Sequence, residues 1–216
     1  MLSIDYRLKP ISERRTTPFA PTQPLPFGKL RSDHMFTMEY SEGHWHSPII
    51  KPYQALSLMP GATVLNYGQE IFEGAKAFQH QDNELYLFRF DQHAIRFNNS
   101  ADIVCMPRFP EEDLQQAVEA LIDVDRLWFP QQSGALLYIR PIMIGTEDSL
   151  GVKESASSLL SIVLSPSGPY YHQELNPITL LTTDKFHRVA PGGTGQAKTG
   201  GNYAASLRAK RYAAKY

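Results

Sequence analysis

The chain has 216 residues, 42% of them hydrophobic, and balances 21 Lys and Arg against 22 Asp and Glu, a net charge of −1. Such a sum gives no general attraction for nucleic acid or an anionic membrane, and no apolar run approaches the roughly 20 residues needed to span a bilayer. A single cysteine, Cys105, excludes an intramolecular disulfide and a Cys-rich metal site.

The start, MLSIDYRLKPISERR, has no continuous apolar core of a secretion signal and carries Asp5 and Glu13, unlike an acid-poor transit peptide, so a cytoplasmic protein is expected. The stretch TPFAPTQPLPF (17–27) holds four prolines and reads as an extended arm, since proline lacks a backbone donor. Short runs rich in β-branched and aromatic residues follow: HMFTMEY (34–40), TVLNY (63–67), AKAF (75–78) and LYLFRF (85–90). They predict strands of a meander, with QDNE (81–84) as a turn. A helix is expected after Asp91, which would cap it, as far as Ala101. A second is expected from Glu111 to Asp125, where Leu114, Ala117, Val118, Leu121 and Val124 recur near helical period. Between the helices, Cys105 in IVCMP is expected to be a core residue. ALLYIRPIMI (135–144) and SLLSIVL (158–164) predict buried strands, and SPSGPYYHQELNP (165–177) a linker. ITLLTT (178–183) should open a new strand, and NYAASLRAKRYAAKY (202–216) is helix-prone throughout. That last run carries no glycine or proline stop, so a second domain begun and not completed is expected.

Charge is uneven. No acidic residue follows Asp184, whereas Lys185, Arg188, Lys198, Arg208, Lys210, Arg211 and Lys215 do, so the first 184 residues sum to −8 and the last 32 to +7. The basic end is either a solvated helix face or a surface that meets an anion. Within it, APGGTGQAKTGGNY (190–203) surrounds one lysine with five glycines, whose backbone N–H groups no Cβ shields. A P-loop would need glycine where Ala197 stands, and a dinucleotide fingerprint would need one at Lys198. A flexible surface loop is one remaining reading. The other is a nucleophilic amine, Lys198, with Arg188 supplying positive charge or a phosphate contact. His44 and His46, in HWH, form a pair of possible metal ligands without a third, so no metal site is expected.

The segment GGTGQAKTGGNY resembles the branched-chain amino acid aminotransferases, pyridoxal-phosphate enzymes of fold type IV. So do LNYGQEIFEGAKAF (65–78), LFRFDQHAIRFNNSA (87–101), LLYIRPIMIGTEDSLGV (136–152) and SPSGPYY (165–171), in the same order. The resemblance implies an α+β chain: an arm (1–27), a small α/β domain (28–164), a linker (165–177) and the beginning of the large cofactor-binding domain (178–216). It implies pyridoxal 5'-phosphate joined as an imine to Lys198, with Tyr203 on the pyridine hydroxyl oxygen and Arg96 on the phosphate. It assigns Tyr67, Phe72, Tyr138 and Arg140 to the substrate pocket, Arg140 to the acidic substrate, and Tyr170 to closure over the site. The implied reaction passes an amino group between leucine, isoleucine or valine and 2-oxoglutarate, with ping-pong kinetics, in a homodimer without nucleic acid or membrane partners. In that family a later glutamate pairs with the pyridine nitrogen; no residue of this chain matches it, so the isolated chain is expected to be inactive or nearly so. D-amino acid aminotransferases and aminodeoxychorismate lyases share the fold class and are the enzymatic alternatives. A non-catalytic fragment that binds cofactor or a full-length partner is the third.

Overall fold

The computed structural model describes residues 2–17, 19–20, 22–80, 84–168, 177 and 179–216. In chain order its strands are Asp5–Tyr6 (β1), His34–Ser41 (β2), His44–Trp45 (β3), Ile49–Pro52 (β4), Glu70–Phe72 (β5), Ala75–Gln79 (β6), Leu85–Leu87 (β7), Leu136–Gly145 (β8) and Ser158–Ser167 (β9). The α-helices are Thr63–Tyr67 (α1), Phe90–Ile103 (α2), Glu111–Val124 (α3) and Gly200–Ala213 (α4). The strands form one sheet in the order β1-β4-β2-β9-β8-β6-β7, with β3 on β2 and β5 on β8. Among the described strands only β1 and β4 pair in parallel.

Period-two alternation along β8 sorts its side chains. Leu137, Ile139 and Met143 are buried on one face, while Tyr138 and Arg140 point from the other. Onto the first face pack α2 and α3 through Phe97, Leu114, Val118 and Leu121, which meet Phe36, Leu160 and Ile162 of the central strands in one core. Proline at position 141, in the middle of this strand, has a visible consequence. β5 and β6 pair with β8 in the same register, Phe72 opposite Ile142 and Ala75 opposite Ile139. Between them Glu73 donates its N–H to the Pro141 carbonyl at 2.9 Å, and proline has no N–H to return. One long strand is thereby interrupted at Glu73 and Gly74.

The expected strands at 34–40, 75–78, 135–144 and 158–164 and both interior helices are present, with differences of local origin. TVLNY is helix α1, not a strand: Gly68, at φ 64°, takes the left-handed closing position and donates to the Val64 carbonyl, and the Asn66 amide donates back to Pro60 and Ala62. The strand at 85–90 stops at Leu87, because Arg89 adopts φ 49° and α2 begins at Phe90. Asp91 therefore lies in the first turn of α2 and does not cap it. Cys105 is exposed rather than core. It occupies the left-handed position (φ 55°) of a helix-ending motif in which Met106 N–H donates to the Ala101 carbonyl, five residues back. Strand β9 continues to Ser167, into the expected linker, whose later residues lie mostly outside the described ones. Residues 179–183 form no strand; the β-branched content of that run is not matched by a partner strand among the described residues. The proline-rich arm is packed down: Phe19 is buried against Trp128, with the Arg15 guanidinium 3.6 Å from its ring, and Gly168 donates to the Leu25 carbonyl. Among the described residues no helix is long and apolar enough to cross a membrane.

Candidate active site

The glycine-rich segment lies against the sheet through its main chain. The Phe72 N–H at the end of β5 donates to the Lys198 carbonyl (2.9 Å), and the Lys198 N–H donates to Ser100 Oγ of α2 (2.9 Å). Just beyond, Thr199 is extended at the start of α4, with no cap of its own. The Glu70 carboxylate serves instead, accepting from the Gly200 N–H and from Thr199 Oγ1. The Asn202 side-chain amide donates to the Thr194 and Ala197 carbonyls and closes the glycine turn on itself. Lysine and helix start are thus fixed by β5 and α2, both distant in sequence, and by the loop itself.

From that anchored backbone Lys198 Nζ donates to Tyr203 Oη at 2.8 Å and lies 4.3 Å from the Phe72 ring centre. Phe72 and Tyr203 rings are 4.9 Å apart, and the Arg188 guanidinium sits 5.2 Å over the Tyr203 ring. On the same sheet face Arg140 Nη2 donates to Tyr138 Oη (3.0 Å), with its guanidinium 4.8 Å from Phe72. Arg140 Nε is buried with no hydrogen-bond partner among the described residues. Gly74 makes room for this group: a Cβ there would stand 1.9 Å from Tyr138 Oη.

Arg96 lies at the margin of the cluster, one helical turn before Ser100, which accepts from the Lys198 N–H and donates to the Arg96 carbonyl. Its guanidinium forks onto Glu73, Nε to Oε1 at 2.5 Å and Nη2 to Oε2 at 2.8 Å. Glu73 is 1% exposed and also accepts from the Gly74 N–H and meets His93 Nδ1, each at 3.0 Å. Burial pushes its pKa up, but the Arg96, His93 and Gly74 bonds outweigh that and hold it below the usual glutamate value. Glu70 goes the other way: burial raises it, and its bonds to Gly200 and Thr199 offset this only in part.

Seven of the residues singled out by sequence therefore converge: Lys198, Tyr203, Phe72, Tyr138, Arg140, Arg188 and, at the edge, Arg96. Tyr67 does not join them. It bonds the Leu150 carbonyl and lines a groove of about 420 Å³ with Gly68, Gln69, Thr199 and Gly201. Tyr170 lies outside the described residues. His46 meets Ser41 Oγ and His44 the Glu42 carbonyl, and the two rings are 4.3 Å apart. Glu70, Glu73 and Ser100 are the additions. A carboxylate between Phe72 and a glycine, in a run otherwise apolar, was the available signal for Glu73; nothing in the sequence marks Ser100 as the acceptor for a backbone 98 positions away.

The family pattern described as amino-transferase class IV matches residues 70–216. The branched-chain-amino-acid transaminase 1 of Bacillus subtilis (strain 168) is 45% identical over 207 residues, covering 93% of this chain and 58% of that protein. The cytosolic branched-chain-amino-acid aminotransferase of Mus musculus is 45% identical over 188 residues, 86% of this chain and 49% of its own. The chain thus spans about half the length of these relatives. Among solved structures, the branched-chain aminotransferase of Thermoproteus uzoniensis with norvaline matches at a TM-score of 0.60 and 23% identity, over 81% of this chain and 55% of that one. A second branched-chain amino acid aminotransferase, solved with pyridoxamine 5'-phosphate, matches at 0.58 and 25%, with the same coverage. With two thirds of its residues under the family pattern and the lysine–tyrosine pair inside the matched region, the chain belongs to the class IV amino-transferases.

Proposed function

We propose that the site serves pyridoxal-phosphate-dependent transamination between leucine, isoleucine or valine and 2-oxoglutarate, giving branched 2-oxo acids and glutamate, with little or no turnover by these 216 residues alone. The observation that carries this reading is the Lys198 amine, hydrogen-bonded to the Tyr203 hydroxyl at 2.8 Å and set over the Phe72 ring. The donor set fits the cofactor: an amine for an aldehyde, a phenol beside it, and guanidinium groups of Arg96 and Arg188 for a phosphate. When bound, pyridoxal phosphate supplies an aldehyde and an electron-withdrawing ring. Lys198 would hold the aldehyde carbon, and its freed amine would be the base for the proton at the substrate Cα. Tyr203 orients that amine. Phe72 and the Tyr138 ring give an aliphatic side chain an apolar wall, and Arg140, whose buried Nε has a free donor, suits the second carboxylate of 2-oxoglutarate.

The division into arm, small domain (28–164), linker and the beginning of a large domain (178–216) belongs to the same reading. So do a homodimer and a cytoplasmic location, the latter supported by relatives named cytosolic. The test is to incubate the purified chain with pyridoxal phosphate, reduce with borohydride and locate the adduct by peptide mass. A stoichiometric adduct on Lys198 is expected; labelling scattered over exposed lysines such as Lys210 and Lys215 would overturn the reading.

A further inference from the structure

Glu73 is a buried charge that stability alone does not explain. It alternates with Ile71 and Ala75 on the core-facing side of the interrupted strand, where an apolar residue of similar volume would cost no desolvation. Its main partner is the less buried one: the Arg96 side chain is 52% exposed and the Glu73 side chain 1%. A half-exposed arginine otherwise samples many rotamers, and a fork-to-fork pair removes that freedom. The pair occupies Nε and Nη2; among the described residues Nη1 donates no hydrogen bond. The Gly74 N–H and His93 fix the carboxylate in turn.

We propose that Glu73 is a positioning residue for phosphate recognition: it grips one edge of the Arg96 guanidinium and presents the other edge to the phosphate of the aldehyde cofactor, without touching that cofactor itself. This rests on the functional reading above, in which Arg96 meets the phosphate. Selectivity for a phosphorylated over a non-phosphorylated aldehyde then depends on a residue one step removed from the phosphate.

The experiment compares the wild-type chain with Glu73→Gln, Arg96→Gln and the double variant. Each is titrated with pyridoxal phosphate and with pyridoxal, and the Lys198 adduct is quantified after borohydride reduction. The wild type should prefer the phosphorylated aldehyde. Arg96→Gln should lower that preference by roughly 10–100-fold and Glu73→Gln by roughly tenfold, the range seen when an outer partner of a binding group is removed. The double variant should be no worse than Arg96→Gln, because the two act as one unit. Pyridoxal labelling of Lys198 should be equal in all four, and Glu73→Asp, which keeps the charge, should retain part of the preference. An unchanged preference in Glu73→Gln overturns the proposal. So does an equal loss of both aldehydes with a lowered unfolding midpoint, the mark of a merely structural role, or strict additivity in the double variant. If the wild type shows no preference and Arg96→Gln changes nothing, it is the assignment of Arg96 to the phosphate that fails, and the proposal falls with it.

Discussion

Glu70 and Glu73, three positions apart, are displaced from the ordinary glutamate value in opposite directions. Both lose hydration on folding. Glu70 receives one backbone donor and one hydroxyl, so burial prevails and its pKa rises; Glu73 receives the Arg96 fork, a histidine and a backbone donor, so its pKa falls. The signs have opposite consequences. A depressed folded-state pKa stabilises the fold at every pH above the unfolded value, about 4.3 for glutamate, and that contribution is lost as pH falls through the folded value. A raised one is unfavourable at high pH and relaxes as pH falls. Glu73→Gln should therefore lower unfolding free energy by roughly 1–2 kcal/mol at pH 7, modest for a buried pair because Arg96 is half exposed and screened. The deficit should shrink as pH falls below about 4. Urea unfolding across that range reads the difference; a deficit independent of pH would mean that the Glu73 charge contributes nothing.

At the scale of elements, what was legible in the sequence was whatever long-range packing and local pattern agree on. The alternation in ALLYIRPIMI and the periodic stripe from Leu114 to Val124 gave strand and helix because each has one apolar face and one core to meet. TVLNY misled because two β-branched or aromatic ends outweigh, on propensity, what Asn66 and Gly68 do through hydrogen bonds and a positive φ. Cys105 misled because composition says nothing about who takes a left-handed position. The start of α4 was legible as helix but not its cap, which comes from Glu70 on a distant strand. Glu70→Ala removes that acceptor and leaves the Gly200 N–H at the start of α4 without its partner, a loss of about 1 kcal/mol. Amides at the start of α4 should then exchange several-fold faster, with those of α3 unchanged, by hydrogen–deuterium exchange. Equal protection in both proteins would show that the cap is dispensable.

Across the whole molecule, the candidate site is a junction of three stretches: the interrupted strand with its Glu70, Phe72 and Glu73, one face of α2, and the glycine turn before α4. The residue types of that junction were readable from the ordered blocks in the chain, since an amine, a phenol and guanidinium groups have chemistry independent of where they sit. Their convergence was not, because it depends on main-chain bonds such as Lys198 N–H to Ser100 Oγ that no local pattern encodes. That bond also ties two parts of the chain together: Ser100 donates to the Arg96 carbonyl within α2 and accepts from Lys198. Ser100→Ala would leave the Lys198 N–H unsatisfied, at about 1–3 kcal/mol. The cost falls on local undocking of residues 197–203 rather than on the core, whose buried residues Phe97, Leu137 and Leu160 are untouched. Limited trypsin digestion should cut after Lys198 roughly tenfold faster in Ser100→Ala, where cleavage tracks the open population, while the urea midpoint of the core changes little. If cleavage after Lys198 is unchanged, the Phe72 and Glu70 contacts suffice to hold the lysine in place, and the site is assembled by the interrupted strand alone.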